Sequence, residues 1–400
     1  MEKRKKVLAA GALVLDVIPV FMEESAGNER TSAGGTVYLK KIDTSIGGSV
    51  GNTGIALHRL GAETTVFSKT GGDSLGTLVY DEIKKSGCKH CILKDTKRNT
   101  SASVIIAEPG QDRMILHSRG ASQNYGIQDI PEKLLKENDL LHFGYPTGME
   151  CMYADNGETL SKFYKRAKDF EITTSMDLSF PGIDTPAGKA DWHNILKKTL
   201  PYVDVFLPSY EELLLILRRE EYLSLKKENP QMCMDSIFTE ERVSSMAEEL
   251  LAMGTKIVGI KCGEKGAYVR TGEKEKFQGF GRAAAFDMDQ WAEKELFAPS
   301  FQISRMISTN GAGDSFVAGF LMGILLERNA FRTLQFASAA AAIRIMSRDG
   351  RDGIPEYQEV DRMIDNKLKW AEPHLIQKSW KQDPETGIYE FKEEESENDV

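Results

Sequence analysis

The chain has 400 residues, with 51 Lys and Arg against 60 Asp and Glu, 41% apolar residues, 35 Gly and 13 Pro. That length and apolar share can bury a core in one large α/β domain or two smaller ones, which excludes fibrous and disordered classes. A net charge of −9, with no basic run longer than Lys3 to Lys6, lacks the footprint of a nucleic-acid binder.

In chain order, a basic start precedes the apolar stretch Val7 to Leu15, as in a secretion leader. Charged Asp16 closes that stretch and no small-x-small site follows closely, so it is read as a buried first strand. Further short apolar runs, Thr65 to Phe67, Leu140 to Phe143, Thr174 to Leu178, Val203 to Leu207 and Lys256 to Ile260, predict strands. Between them Ile55 to Leu60, Leu75 to Ser86, Leu160 to Asp169, Tyr210 to Arg218 and Glu240 to Met253 predict helices, with Gly87 and Gly254 closing two of them. This βαβα alternation implies a mostly parallel sheet covered by helices on both faces.

Residues 28 to 46 and 99 to 118 break the pattern with extended Thr-, Ser-, Val- and Ile-rich runs, and predict a small separate sheet that acts as a lid. Residues 271 to 296, with Trp291, read as a loop insertion, and Phe391 to Val400, with five acidic residues, as a solvated tail. The domain plan is one body over 1 to 376 that carries the lid, followed by an acidic, flexible stretch over 377 to 400. Five scattered cysteines fit reduced thiols in a cytoplasmic protein; the lone CxxC of Cys88 and Cys91 has no second pair at zinc-finger spacing. The longest apolar run, Phe316 to Leu326, covers 11 residues, too few to cross a membrane.

Chemistry concentrates in two glycine-rich turns. In Ser308-Thr-Asn-Gly-Ala-Gly-Asp314, the residues Gly311, Ala312 and Gly313 lack bulk, so their N–H groups can converge on an anion at the start of an apolar helix. Asp314, directly beside them, can take the proton of an attacking hydroxyl. Taken alone the stretch could equally be a capped helix start. A dinucleotide fingerprint fails because Phe316 stands at its last glycine, and no GxxxxGK[ST] occurs. The second turn, Gly47-Gly48-Ser-Val-Gly-Asn52, lets the backbone approach a small ligand, while Asn52 supplies both donor and acceptor. With Asp16 after the first strand it makes a pair suited to reading the hydroxyls of a polyol.

These two turns resemble the two sequence signatures of the PfkB family of carbohydrate kinases, the ribokinase-like group. The first runs from Gly47 through Gly61-Ala to Gly71-Gly72-Asp73-Ser-Leu-Gly76, the second over Thr309 to Asp314. Intermediate landmarks are Asp177, Pro208 to Glu212, Lys261 to Ala267, Ala298-Pro-Ser-Phe, Phe336 to Ala342 and Asp352-Gly-Ile-Pro. The resemblance covers roughly residues 5 to 365. It implies an α/β ribokinase-like fold whose lid is a β-clasp that closes on the sugar and pairs two copies of the chain.

It further implies ATP and Mg²⁺ as cofactors, Asp314 as general base, Gly311 to Gly313 as anion hole, and Asp16, Gly47, Gly48 and Asn52 as sugar contacts. Glu212 would organise Mg²⁺ through water. Ser209, Lys261, Gly263, Gly266, Asn310 and Ser338 would line the nucleotide. Two positions depart from the family pattern. Ser308 stands where the family carries an aspartate of its monovalent-cation site, which speaks against activation by K⁺. Ser209 stands where the family has Asn, leaving that role vacant or its own. The expected activity is transfer of the ATP γ-phosphoryl group to a hydroxyl of a small sugar, sugar acid or polyol. A nucleoside kinase and a silent sugar or nucleotide binder remain as alternatives. The choice of acceptor falls to lid side chains and to those around Arg119, Tyr145 and Asp177.

Overall fold

The computed structural model describes residues 5–22, 36–106, 114–230, 232–233, 237–283, 287–347, 353–366, 368–373 and 379–392. Val7 to Ala10 are buried without interruption, as a strand covered on both faces requires. They belong to β1 (Lys6–Gly11) at the centre of an eleven-stranded sheet. On one side of β1 lie β4 (Glu63–Gly71) and β5 (Lys89–Asp95). On the other side come β8 (Leu140–Gly144), β9 (Thr173–Asp177), β10 (Val205–Phe206) and β11 (Ile257–Lys261), all parallel. The sheet then turns antiparallel through β12 (Ala267–Thr271), β13 (Glu295–Ala298), β15 (Tyr389–Phe391) and β14 (Trp380–Gln382). Helices cover both faces. The helix Ala312–Leu325 is buried almost throughout, because Gly319 and Gly323 let helix Ala330–Met346 approach at Ala337 and Thr333. Its apolar run is therefore core, and no helix among the described residues is long and apolar enough to cross a membrane.

A second sheet of four strands stands apart, in the order β3 (Leu39–Gly47), β2 (Val14–Phe21), β6 (Ala102–Ile106) and β7 (Met114–Ser118). It contains the expected lid segments where they are described; residues 28 to 35 and 107 to 113 lie outside the described residues. The small sheet also takes β2, whose first two residues, Val14 and Leu15, were expected in the main sheet and whose remainder was assigned to no strand. Val7 to Leu15 is not one strand: the chain leaves the main sheet at Gly11, whose φ of 135° few other residues adopt, and enters the lid at Val14.

Two boundaries are corrected. The expected tail begins too early, since Trp380–Gln382 and Tyr389–Phe391 are strands of the main sheet, held by the Trp380 ring against Tyr268, Phe297 and Phe391. Residues 393 to 400 lie outside the described residues. The segment 271 to 296 is no free loop: Trp291 is 1% exposed, and its indole N–H donates to the Arg328 carbonyl at 3.0 Å. Cys88 is buried, its Sγ donates to the Thr64 carbonyl, and burial pushes its thiol up to about 12, which makes it an inert side chain.

Candidate active site

The glycine turns meet where β1, β8 and β9 end. Gly11, Gly144 and Asp177 lie side by side in register at those ends. Just beyond, β2 and β3 pair so that a Cβ on Gly47 would overlap the Asp16 carboxylate, which explains why only glycine fits there. Gly48, at φ 74°, turns the chain against the Ala12 carbonyl. The chain then coils through Val50–Gly54 and delivers Asn52 and Thr53 to the other turn.

That other turn starts at Gly311, with φ 75°, and Asp314 sits in the first turn of the helix that follows, 6% exposed. Three side chains donate to its carboxylate: Asn52 Nδ2 to Oδ2 at 3.1 Å, Thr53 Oγ1 to Oδ1 at 3.1 Å, and Tyr145 Oη to Oδ1 at 2.7 Å. Burial pushes the Asp314 carboxyl up from the ordinary aspartate value, against the downward pull of Tyr145, Lys261, Thr53 and Asn52. A carboxylate raised in this way holds a proton to higher pH than an ordinary aspartate. Asn52, expected at the sugar, here contacts the Asp314 carboxylate.

Lys261, at the end of β11, runs across Gly313: a Cβ there would stand 3.5 Å from its Cδ and 4.0 Å from its Nζ. The Asp177 carboxyl is fully buried and neither oxygen has a hydrogen-bond partner among the described residues. Burial drives it well above the ordinary value, Lys261 pulls it down, and Asp314 and Glu212 push it up again. His142 packs beneath it, Nε2 to Oδ1 at 3.5 Å, but burial and then Lys261 lower the imidazole to about 3, so this contact joins a neutral ring to the carboxyl. Glu212 and Ser209 form a capping box at the helix Tyr210–Leu217: the Ser209 N–H donates to Glu212 Oε2 at 2.7 Å, and the Glu212 N–H to Ser209 Oγ at 3.3 Å. Ser209 thus serves the helix end.

The other expected nucleotide residues fall beside this point. Gly263, Gly266 and Ser338 line one narrow apolar cavity of about 80 Å³ with Phe301, Phe316 and Ile345. Gly266, at φ 119°, is pressed on the Ala298 carbonyl. The Asn310 N–H donates to Ser308 Oγ at 3.2 Å, so Ser308 closes the turn as a hydroxyl. Beside the loops that flank β6 and β7 lies a cavity of about 440 Å³ lined by Lys97, Arg98, Arg119, Asn124 and Glu150. Arg119 Nη1 donates to the Tyr153 hydroxyl at 3.3 Å. Lys97 and Arg98 were not singled out from the sequence, where they are two more cations in a polar connection; only the fold sets them opposite Arg119. Two larger clefts, of about 790 and 740 Å³, open at the opposite end of the sheet, where β11 and β4 begin, away from this chemistry.

The fold is the ribokinase-like α/β architecture. Arabidopsis thaliana ribokinase complexed with ribose and ATP superposes with a TM-score of 0.66 at 18% identity, covering 90% of this chain and 99% of that one. Fructokinase with bound ATP from Xylella fastidiosa gives 0.66 at 17% identity, over 91% and 99%. The pfkB family carbohydrate kinase profile matches residues 5–356, and the chain belongs to that family of phosphotransferases with hydroxyl acceptors. Among curated relatives, a 5-dehydro-2-deoxygluconokinase of Clostridium botulinum is 21% identical over 92% of this chain and 94% of its own length. An ATP-dependent 6-phosphofructokinase of Thermoanaerobacterium thermosaccharolyticum is 19% identical over 92% and 96%.

Proposed function

We propose that this sugar kinase transfers the γ-phosphoryl group of ATP to a hydroxyl of a small sugar or sugar acid that also carries an anionic group. The observation that carries the reading is Asp314, a buried carboxylate with a raised proton affinity, one residue past a glycine turn that opens a helix. In the reaction Asp314 takes the proton of the acceptor hydroxyl, and that oxygen bonds to the γ-phosphorus in line with the breaking bond to the ADP oxygen. The N–H groups of Gly311 and Gly313 and the Lys261 ammonium stabilise charge on the transferring group, while the Ala312 N–H, expected beside them, donates to the Thr309 carbonyl at 3.2 Å and closes the turn. Gly263, Gly266 and Ser338 hold the base and ribose end of ATP. Asp16, Gly47, Gly48 and Asn52 orient the acceptor.

An anionic acceptor is supported by Lys97, Arg98 and Arg119 around the cavity beside β6 and β7, which outnumber Glu150 there, with Arg98 also paired to Asp95 at 3.6 Å. The names of the two relatives above point the same way, one acting on a sugar acid and one on a sugar phosphate.

The family implies Mg²⁺. The residues fit a water-held ion: Asp177 brings two orphaned oxygens and Glu212 a second buried carboxylate, while no cluster of three His, Cys, Asp or Glu side chains suited to a metal occurs among the described residues. When bound, Mg²⁺ neutralises phosphate charge. Glu212 and Asp177 would orient its waters.

The lid leaves Tyr38, Ile42, Met114 and Leu116 exposed by 53 to 75%. A second copy of the chain that covers them would form a lid-to-lid dimer, which light scattering of the purified protein decides. The function is tested by ADP release over a panel of sugars, sugar acids, sugar phosphates and nucleosides. Asp314→Asn should keep the fold and acceptor binding and lose about a hundredfold or more in kcat. Silence on every acceptor would favour a binding protein, and turnover of Asp314→Asn within a few-fold of wild type would remove the base assignment.

A further inference from the structure

The anion-hole turn is flanked by a second cation that the reaction scheme above does not use. Arg344, in the last turn of the helix Ala330–Met346, lies over Gly311: a Cβ there would stand 3.4 Å from its Nε, 3.6 Å from its Nη2 and 3.8 Å from Asn52 Cγ. Arg344 is 9% exposed. The strand of chain entering the turn is fastened to the same helix end, since the N–H groups of Ile307 and Ser308 both donate to the Ile345 carbonyl, at 3.0 and 3.3 Å. Backbone bonds therefore tie the helix end that carries Arg344 to the chain entering the turn.

A cation near a helix C-terminus has an ordinary explanation in the helix dipole. That role is equally well served by a side chain extended into water, which avoids the cost of withdrawing a charge from solvent. Arg344 instead turns inward, onto the one residue whose left-handed backbone aims the N–H groups of the turn. Lys261, from β11, stands by Gly313 as Arg344 stands by Gly311, so one cation lies at each end of the turn. A transferring phosphoryl group spreads its charge over three equatorial oxygens, a distribution that a point charge at one end of the turn and a planar guanidinium at the other complement better than either alone.

We propose that Arg344 is a positioning residue and fixed positive charge of the phosphoryl-transfer site, acting through the Gly311–Gly313 turn on the phosphoryl group in transit. This rests on the kinase reading above.

The test compares Arg344→Met, which keeps length and loses charge, with Arg344→Lys, in the full chain. Arg344→Met should lose about 10- to 100-fold in kcat while KM for ATP and acceptor change less than about threefold. Affinity for ADP with aluminium fluoride plus acceptor, a mimic of the group in transit, should fall by the same factor as kcat, and affinity for ADP alone should not. Arg344→Lys should recover most of the loss, and millimolar ethylguanidinium should partly restore Arg344→Ala. The proposal is overturned if Arg344→Met turns over like wild type, or if Met and Lys variants are equally impaired in step with a lowered Tm and no guanidinium rescue. Should Arg344→Met not fold, Arg344→Gln decides by the same readings. A wild type that phosphorylates nothing overturns the kinase reading itself, whereas an active wild type matched by Arg344→Met overturns this proposal alone.

Discussion

The Tyr145 hydroxyl donates to Oδ1 of Asp314 across 2.7 Å, from a backbone held in the left-handed region at φ 66°. A tyrosine there carries a strain of order 1 kcal/mol, and the turn out of β8 brings its ring to the Asp314 carboxylate. Burial first, then the charges of Asp314 and Asp177, push the phenol far up, so it stays a donor.

Removing that donor should be visible in pH dependence. The bond from Tyr145 lowers the Asp314 carboxyl, so its loss in Tyr145→Phe lets the carboxyl rise further. Asp314 then stays protonated to higher pH. The acid limb of the kcat/KM profile should move upward in pH, with the high-pH plateau reduced by less than about tenfold. An acid limb that stays in place, or moves down, contradicts the assignment.

Asp16 and Asn52 should separate. Asp16→Ala should raise KM for the acceptor by roughly 5- to 100-fold, the equivalent of about 1–3 kcal/mol for an unpaired hydroxyl partner, and leave KM for ATP unchanged. Asn52→Ala should do the same and also lower kcat, because Asn52 donates to Asp314. Steady-state kinetics with each substrate varied in turn checks both, and an equal loss for ATP would show that the site is divided wrongly.

Replacing K⁺ by Na⁺ or a bulky organic cation at constant ionic strength should change the rate by less than about twofold. Ser308 brings a hydroxyl that caps its own turn, with no charge to hold a soluble cation. Strong, selective activation by K⁺ would mean that carbonyl oxygens around the turn suffice.

The C-terminal hairpin should divide the tail sharply. Deleting residues 393 to 400 should leave Tm and turnover unchanged. Deleting from 379 onward uncovers β13 and removes Trp380, whose indole also donates to Glu240 at 2.8 Å. That deletion, and Trp380→Ala at a cost of about 2 kcal/mol, should lower Tm by several degrees in calorimetry. Equal stability of the two truncations would show that the hairpin adds nothing.

Much of this was written in the chain itself. A parallel sheet buried on both faces leaves uninterrupted apolar runs, so β1, β8, β9 and β11 could be read directly. A turn that binds an anion needs consecutive residues without side chains, so Gly47–Gly48 and Gly311–Gly313 stand out with Asp314 beside the second. Local rules reach no further than a turn or a strand. Whether Val7 to Leu15 was one strand or two depended on a backbone angle at Gly11. The three-residue strands Trp380–Gln382 and Tyr389–Phe391 carry too little pattern to show, and they exist because β13 offers them an open edge. The place of Arg344, the bond from Tyr145 to Asp314 and the shared cavity of Lys97, Arg98 and Arg119 were decided by tertiary structure alone: none shows in the local sequence, and each acquires a chemical meaning only when packing brings a remote element beside it.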